Sequence, residues 1–190
     1  MANTVFNYII INNADDGVVE KIKEIFKPKT ESDNPFETTS TVQLVNALFD
    51  NIWPNGGSDY DRYWAENRCG AKWFNGCVSD YGDDGTITIH IDSAWDPIMG
   101  WVEKLAEVLS DIKHDVWIQN KFEDAGFNFA GVHLAARGYS SDEYINMEDW
   151  NVDKFLEGGA EYDAYCDKLS NMMDEEVDVY FEHLKNMENE

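Results

Sequence analysis

The sequence predicts an α+β fold, an antiparallel sheet packed by helices, and three observations carry that expectation. Segments rich in β-branched and aromatic residues recur at 4–12, 71–81, 86–92, 115–122 and 127–136. Stretches with helical periodicity separate some of them, and short polar turns separate others. Of the 190 residues, 43% are hydrophobic and 14% aromatic, enough to build a core despite a formal net charge of −24.

The first strand is TVFNYIIIN. The following NADDG supplies an aspartate cap, and Val18, Val19, Ile22, Ile25 and Phe26 then fall on one helical face until Pro28. Residues 29–39 are polar and read as a loop. STVQLVNALFDNIW restores helical spacing, closed by Pro54 and Gly56-Gly57, whereas the state of SDYDRYWAEN is left open. Strands over 71–81 and 86–92 flank GDDG, a hairpin turn; Ile87, Ile89 and Ile91 face one way, Thr86, Thr88, His90 and Asp92 the other. Asp96-Pro97 reads as a cap with proline at the first helical position, ahead of a stripe of Ile98, Val102, Leu105, Val108, Leu109 and Ile112. Two further strands, 115–122 and 127–136, are separated by EDAG.

After Gly138 the composition changes. Residues 139–190 hold sixteen Asp/Glu against three Lys, a net −13. Tyr162, Cys166, Leu169, Met173, Val177, Tyr180, Leu184 and Met187 recur every three or four residues, the mark of an amphipathic helix, with Asp163, Asp167, Asp174, Glu175, Asp178 and Glu182 on other faces. The expected organisation is therefore a domain over 1–138 with a helical insert at about 29–68, and an acidic helical extension over 139–190 packed on it by its apolar stripe.

The order β-α-(insert)-β-β-α-β-β is a ferredoxin-like split βαβ plan with additions. CGAKWF, then DSAWDP opening a helix, then GFNFAG resembles the YubB-type ferredoxin-like family of plasmid and phage proteins, which carries W-G-T-K-W, T-A-W-S-P-P and G-x-x-F-x-G in that order. Gly70, Lys72, Trp73, Ala94, Trp95, Pro97, Gly126, Phe129 and Gly131 match; Cys69, Asp96 and Ile98 depart from the pattern. The resemblance covers about 64–138, excludes the acidic part, and implies a fold and a mobile-element origin but no active site.

Fourteen Lys+Arg against 38 Asp+Glu argue against direct nucleic-acid or anionic-membrane binding, both of which need clustered cations. The acid is either a solvated, self-repelling surface or a face for a cationic partner. Cys69, Cys77 and Cys166 form no CxxC pair, and TVFNYIII follows no signal-peptide pattern, so free thiols in a cytoplasm are the expectation.

Candidate chemistry is sparse. Residues 80–85 superficially suggest a calcium loop, but Gly82 and Ile91 stand where the pattern wants an oxygen donor and a glutamate, which leaves a hairpin turn. His90 and Asp92 share a strand face without a third ligand, and His114, His133 and His183 have no ligand spacing. Trp73, Trp117, Phe127 and Phe129, placed on strands, could stack bases, although the negative field opposes phosphate. No cofactor, metal or catalytic group is expected.

A helix over 161–187 would span about 40 Å and hold eight acids, roughly one per 5 Å, too sparse alone to imitate duplex DNA at ~1.7 Å per charge. Mimicry would need the tail and other acidic segments, such as Asp80–Asp84 or the acids of 142–153, to converge. The functional expectation is a non-enzymatic mobile-element protein that inhibits a basic host nucleic-acid-binding or defence protein, of anti-CRISPR or anti-restriction type. The expected contacts are Asp163, Asp167, Asp174, Glu175, Glu176, Asp178 and Glu182. The alternatives are a nucleic-acid-binding or RNA-processing module around His90, Trp117 and His133, and an acidic scaffold protein.

Overall fold

A computed structural model of the chain describes residues 3–27, 38–155 and 159–187. Their strands are β1 (Thr4–Asn12), β2 (Thr39–Ser40), β3 (Phe74–Tyr81), β4 (Ile87–Ala94), β5 (Trp117–Asp124), β6 (Ala130–Ala136) and β7 (Tyr139–Ile145). They form one seven-stranded antiparallel sheet in the order β2-β3-β4-β1-β5-β6-β7. The principal helices are α1 (Asp16–Ile25), α2 (Thr41–Leu48), α3 (Arg62–Cys69) and α4 (Met99–Ser110), then the short α5 (Val152–Phe155) and the 28-residue α6 (Ala160–Met187).

β1 lies at the centre of the sheet, between β4 and β5. Val5, Ile9 and Ile11 turn to the first face of the sheet, where Ile9 and Ile11 meet Ile87, Ile89, Ile91 and Ile118 beneath α1, α2 and α4. The two crossovers through helices, β1 to β3 and β4 to β5, each skip a neighbouring strand, so the two halves interleave. α1 begins as its sequence suggests: the Asp15 side chain accepts the Val18 N–H at 3.0 Å. α3, unresolved by periodicity, is fixed locally instead. Asp61 accepts the N–H groups of Tyr63 and Trp64, and Gly70 ends the helix in the left-handed region at φ 101°.

Four local expectations are corrected. The polar stretch assigned to a loop through Thr39 ends in β2, which pairs Thr39 with Gly76; of the remainder, 29–37 lie outside the described residues. Asp96-Pro97 does not open α4. Trp95 sits at φ 76°, Asp96 gives its carbonyl to the Ser93 hydroxyl at 2.7 Å, and the helix starts at Met99 after an Ile98 that lacks a side-chain cap. Trp73, Phe127 and Phe129 lie off the strands; Phe127 and Phe129 belong to a turn organised by buried Asp124, whose Oδ2 accepts the Gly126 and Asn128 N–H groups. Finally, Gly138 starts no helical extension. It is the turn of the β6–β7 hairpin, and β7 continues the sheet by seven residues before α5 and α6.

Inside the first face, Asn7 does what no local cap does for α4. Its Oδ1 accepts the Ile98 N–H and Asn120 Nδ2, both at 3.3 Å, while its Nδ2 donates to the Ile91 carbonyl and to Ser93 Oγ. A buried amide is tolerated when its hydrogen-bonding groups are matched in this way.

Close backbone approach fixes α3 against α4. A Cβ on Gly100 would meet the Arg68 carbonyl at 2.4 Å, and one on Gly70 would meet the Pro97 carbonyl at the same distance. Gly100→Ala is therefore expected to destabilise the protein by about 1–3 kcal/mol in urea unfolding. Gly57→Ala, where nothing lies within 4 Å, should shift the midpoint little. Equal effects of the two would contradict the packing.

Candidate functional site

α6 covers the β5–β6–β7 half of the second sheet face. Tyr165, Leu169 and Met172 pack on Ala130, Val132 and Ile145, and Tyr180 packs beside Leu134 and Ala136. Of the apolar stripe read from the sequence, Leu169 and Tyr180 are buried and Cys166, Met173 and Val177 half-buried. Tyr162, Leu184 and Met187 are exposed, and Tyr165 and Met172 are buried in addition. The stripe sits slightly rotated from the expected one, and the last two turns of the helix are exposed, touching the sheet through Phe181 on Trp117 and His183 on Tyr139.

That docking sorts the charges. At about 100° per residue, Asp163, Asp167, Asp174, Glu175, Asp178 and Glu182 fall within roughly a 120° arc opposite the buried stripe, and all six are exposed. They follow the helix for about 28 Å. Glu176 is the exception among the expected contacts: it turns toward the sheet and accepts a hydrogen bond from the Ser141 hydroxyl. Like-charge pairs one turn apart, such as Asp174 with Asp178, cost about 0.2–0.5 kcal/mol each. Burying each large apolar side chain of the stripe returns about 1.5–3 kcal/mol, so docking outweighs repulsion along the ridge.

The acids of the β3–β4 turn and Asp142 do not join it, whereas Glu143, registered with Val132, is exposed on the α6 side of the sheet. Asp80, Asp83 and Asp84 lie at the β3–β4 turn, four strands from β6, or about 19 Å at ~4.8 Å per strand. The Asp84 carboxylate accepts the Thr86 N–H and hydroxyl, which holds its pKa below the ordinary value. Asp142 is registered with His133 and so points to the first face, away from α6. No group of three or more His, Cys, Asp or Glu among the described residues could hold a metal ion.

The alternative constellation of His90, Trp117 and His133 is not brought together. His90 is exposed on the second face, edge-on to Tyr8 with centroids 4.9 Å apart. Trp117 shares that face but is covered by Tyr180 and Phe181 of α6. His133, 1% exposed, lies on the first face by register, its Nε2 3.6 Å from Glu103. At that separation the contact is an ion-pair distance rather than a hydrogen bond, and His133 holds the Glu103 carboxyl below its ordinary range.

The β1–β4–β3 half of the second face has no helix across it among the described residues. One row there reads Cys77, His90, Tyr8 and Lys121 on four successive strands. The next row holds Asn75, Asp92, Phe6 and Glu123. Strand alternation makes both rows legible once the register is known; the sequence alone does not reveal which strands are neighbours.

Between this open half and α6, the Tyr165 hydroxyl donates to Glu123. Burial pushes the Glu123 carboxyl above its ordinary value of 4.5 and, with Glu123 beside it, pushes the Tyr165 hydroxyl up as well. Cys69, Cys77 and Cys166 are free thiols, and burial pushes Cys69 up to about 12. No helix among the described residues is long and apolar enough to cross a membrane. No family model, curated protein or solved structure matches this chain.

Two measurements check these environments. Native-state alkylation at pH 8, read by mass spectrometry, should modify Cys77 and Cys166 well before Cys69; simultaneous modification of Cys69 would contradict its burial. An acid whose folded pKa exceeds its unfolded value binds its proton more tightly when folded. The contribution of Glu123 is thus most favourable below about pH 4.5 and is lost as pH rises through the folded value. Glu123→Gln should accordingly raise the melting temperature by about 2 °C at pH 7, with little gain at pH 4. A loss at pH 7 would show that the carboxylate is stabilising.

Proposed function

We propose that this chain is a non-enzymatic, acidic protein of phage or plasmid origin that binds a cationic surface on a host nucleic-acid-binding or defence protein and inhibits it. The observation that supports the reading is the arc of six exposed carboxylates along α6. A surface of one sign steers an oppositely charged partner and raises its rate of association. Its spacing, one charge per 5 Å or so, suits a protein face better than a replica of the duplex backbone.

The mobile-element origin rests on the resemblance over 64–138. We read β1-α1-β3-β4-α4-β5 as a ferredoxin-like unit, since β3-β4-β1-β5 has the interleaved order of that plan, widened here by β2 at one edge and β6–β7 at the other. The nucleic-acid reading is weaker, because the three residues that would carry it sit in three different surroundings.

The test is affinity capture from a bacterial host with the full chain as bait, beside a variant carrying Asp174→Lys, Asp178→Lys and Glu182→Lys. A basic nucleic-acid-binding or defence protein should be retained by the native chain at low salt, released as salt rises, and lost with the variant. Recovery that charge reversal leaves untouched, or recovery of no basic protein, would sink the reading.

A further inference from the structure

The open half of the second face meets α6 in a groove. Phe6, Tyr8, His90 and Asp92 line a hollow of about 300 Å³, which Tyr8 and Lys121 continue into one of about 250 Å³ walled by Met173 and Asp174 of α6. We propose that this groove anchors a basic side chain, arginine foremost, of a cationic protein segment. The inference rests on the reading of α6 as a face for a cationic protein and names where such a partner is gripped.

Size is the first argument. Cofactor and drug-sized ligand sites run to about 300–1,000 Å³ in one cavity; here the space is divided between hollows of about 300 and 250 Å³ in series, each suited to one or two side chains of an extended segment. The floor is the second. Phe6 is 49% exposed in the middle of a sheet, and Tyr8 beside it is braced edge-on by His90. Aromatic faces attract cations, and the Lys121 ammonium already lies 5.6 Å from the Tyr8 centroid.

Charge is the third. Asp92 of β4 lines one hollow and Asp174 of α6 lines the other, so each hollow offers a carboxylate to a guanidinium. Lys121 is the one Lys or Arg of the lining among the described residues, which disfavours a phosphate. Continuity is the fourth: Asp174 belongs both to the groove and to the acidic ridge, so a segment steered along the ridge arrives at the aromatic floor. Arginine is preferred to lysine because its planar group stacks on a ring while its N–H fork holds a carboxylate.

The experiment titrates the ¹⁵N-labelled full chain with two capped octapeptides, one with four arginines alternating with glycine and one with four lysines in their place. Amide shifts are expected at Phe6, Tyr8, His90 and Asp174, with the arginine peptide binding about fivefold more tightly. Phe6→Leu and Tyr8→Leu keep apolar bulk in the strand but remove the rings, and should abolish that preference while the melting temperature stays within a few degrees. Asp178→Lys with Glu182→Lys should weaken both peptides and flatten their salt dependence, leaving the arginine-to-lysine ratio intact.

Equal affinities, a preference that survives both leucine variants, or shifts confined to the outer face of α6 would overturn the groove while sparing the ridge. If charge reversal leaves both affinities unchanged, the ridge reading fails instead. Binding of neither peptide overturns both. The same amides moving on self-association without peptide, or more strongly with a decamer of thymidylate, would assign the groove to another occupant and overturn the proposal.

Discussion

Tyr165, Leu169, Met172 and Tyr180 share one side of α6, and seating that side on Ala130, Val132 and Leu134 fixes the rotation of the helix about its axis. Once the rotation is fixed, the acids have little freedom: three-quarters of them are carried outward and Glu176 is carried in. The same seating leaves β1, β4 and β3 without a helix over that face among the described residues. A helix turned by half a revolution would bury carboxylates and expose rings, at a cost of several kcal/mol per buried charge. The surface pattern is thus a product of apolar contact and was not arranged by the charges themselves.

The same balance explains how a chain at −24 folds. On the first face, Ile9, Ile11, Ile87, Ile89 and Ile91 lie under Trp101, Val102, Leu105 and Leu109 with essentially no exposure. Repulsion among exposed carboxylates is screened over about 8–10 Å at ordinary ionic strength, whereas burial is not. Salt bridges add little. Lys21–Glu24, Lys23–Glu20 and Lys104–Glu107 are single-turn helix pairs with exposed glutamates, a class worth a few tenths of a kcal/mol.

Much of this was legible in the residues. Strand alternation placed Ile87, Ile89 and Ile91 on one face and His90 with Asp92 on the other, and the three-to-four spacing found α6. What escaped had physical reasons. β7 reads Tyr-Ser-Ser-Asp-Glu-Tyr-Ile, half-polar because it is an edge strand, and its acids suggested the helix beyond it. The start of α4 was misplaced because its Ile98 amide is held by Asn7, some ninety residues away, and local cap rules see only neighbours. The groove escaped for the same kind of reason: Tyr8, His90, Lys121 and Asp174 come from four elements, and only pairing and docking bring them side by side.

Asn7 has one more effect on the molecule. Ile9, Ile10 and Ile11 stand in a row, so at that end of β1 the apolar pattern alone separates one register from the next only weakly. A slide of β1 by a single residue would swing the amide out of the interior, strand the Ile98 N–H without an acceptor and push Tyr8 into the space beneath α4. The polar group at the centre of the hydrophobic layer thus works as an alignment pin: it gives up some cohesion to make every other stacking of the central strands a poor one.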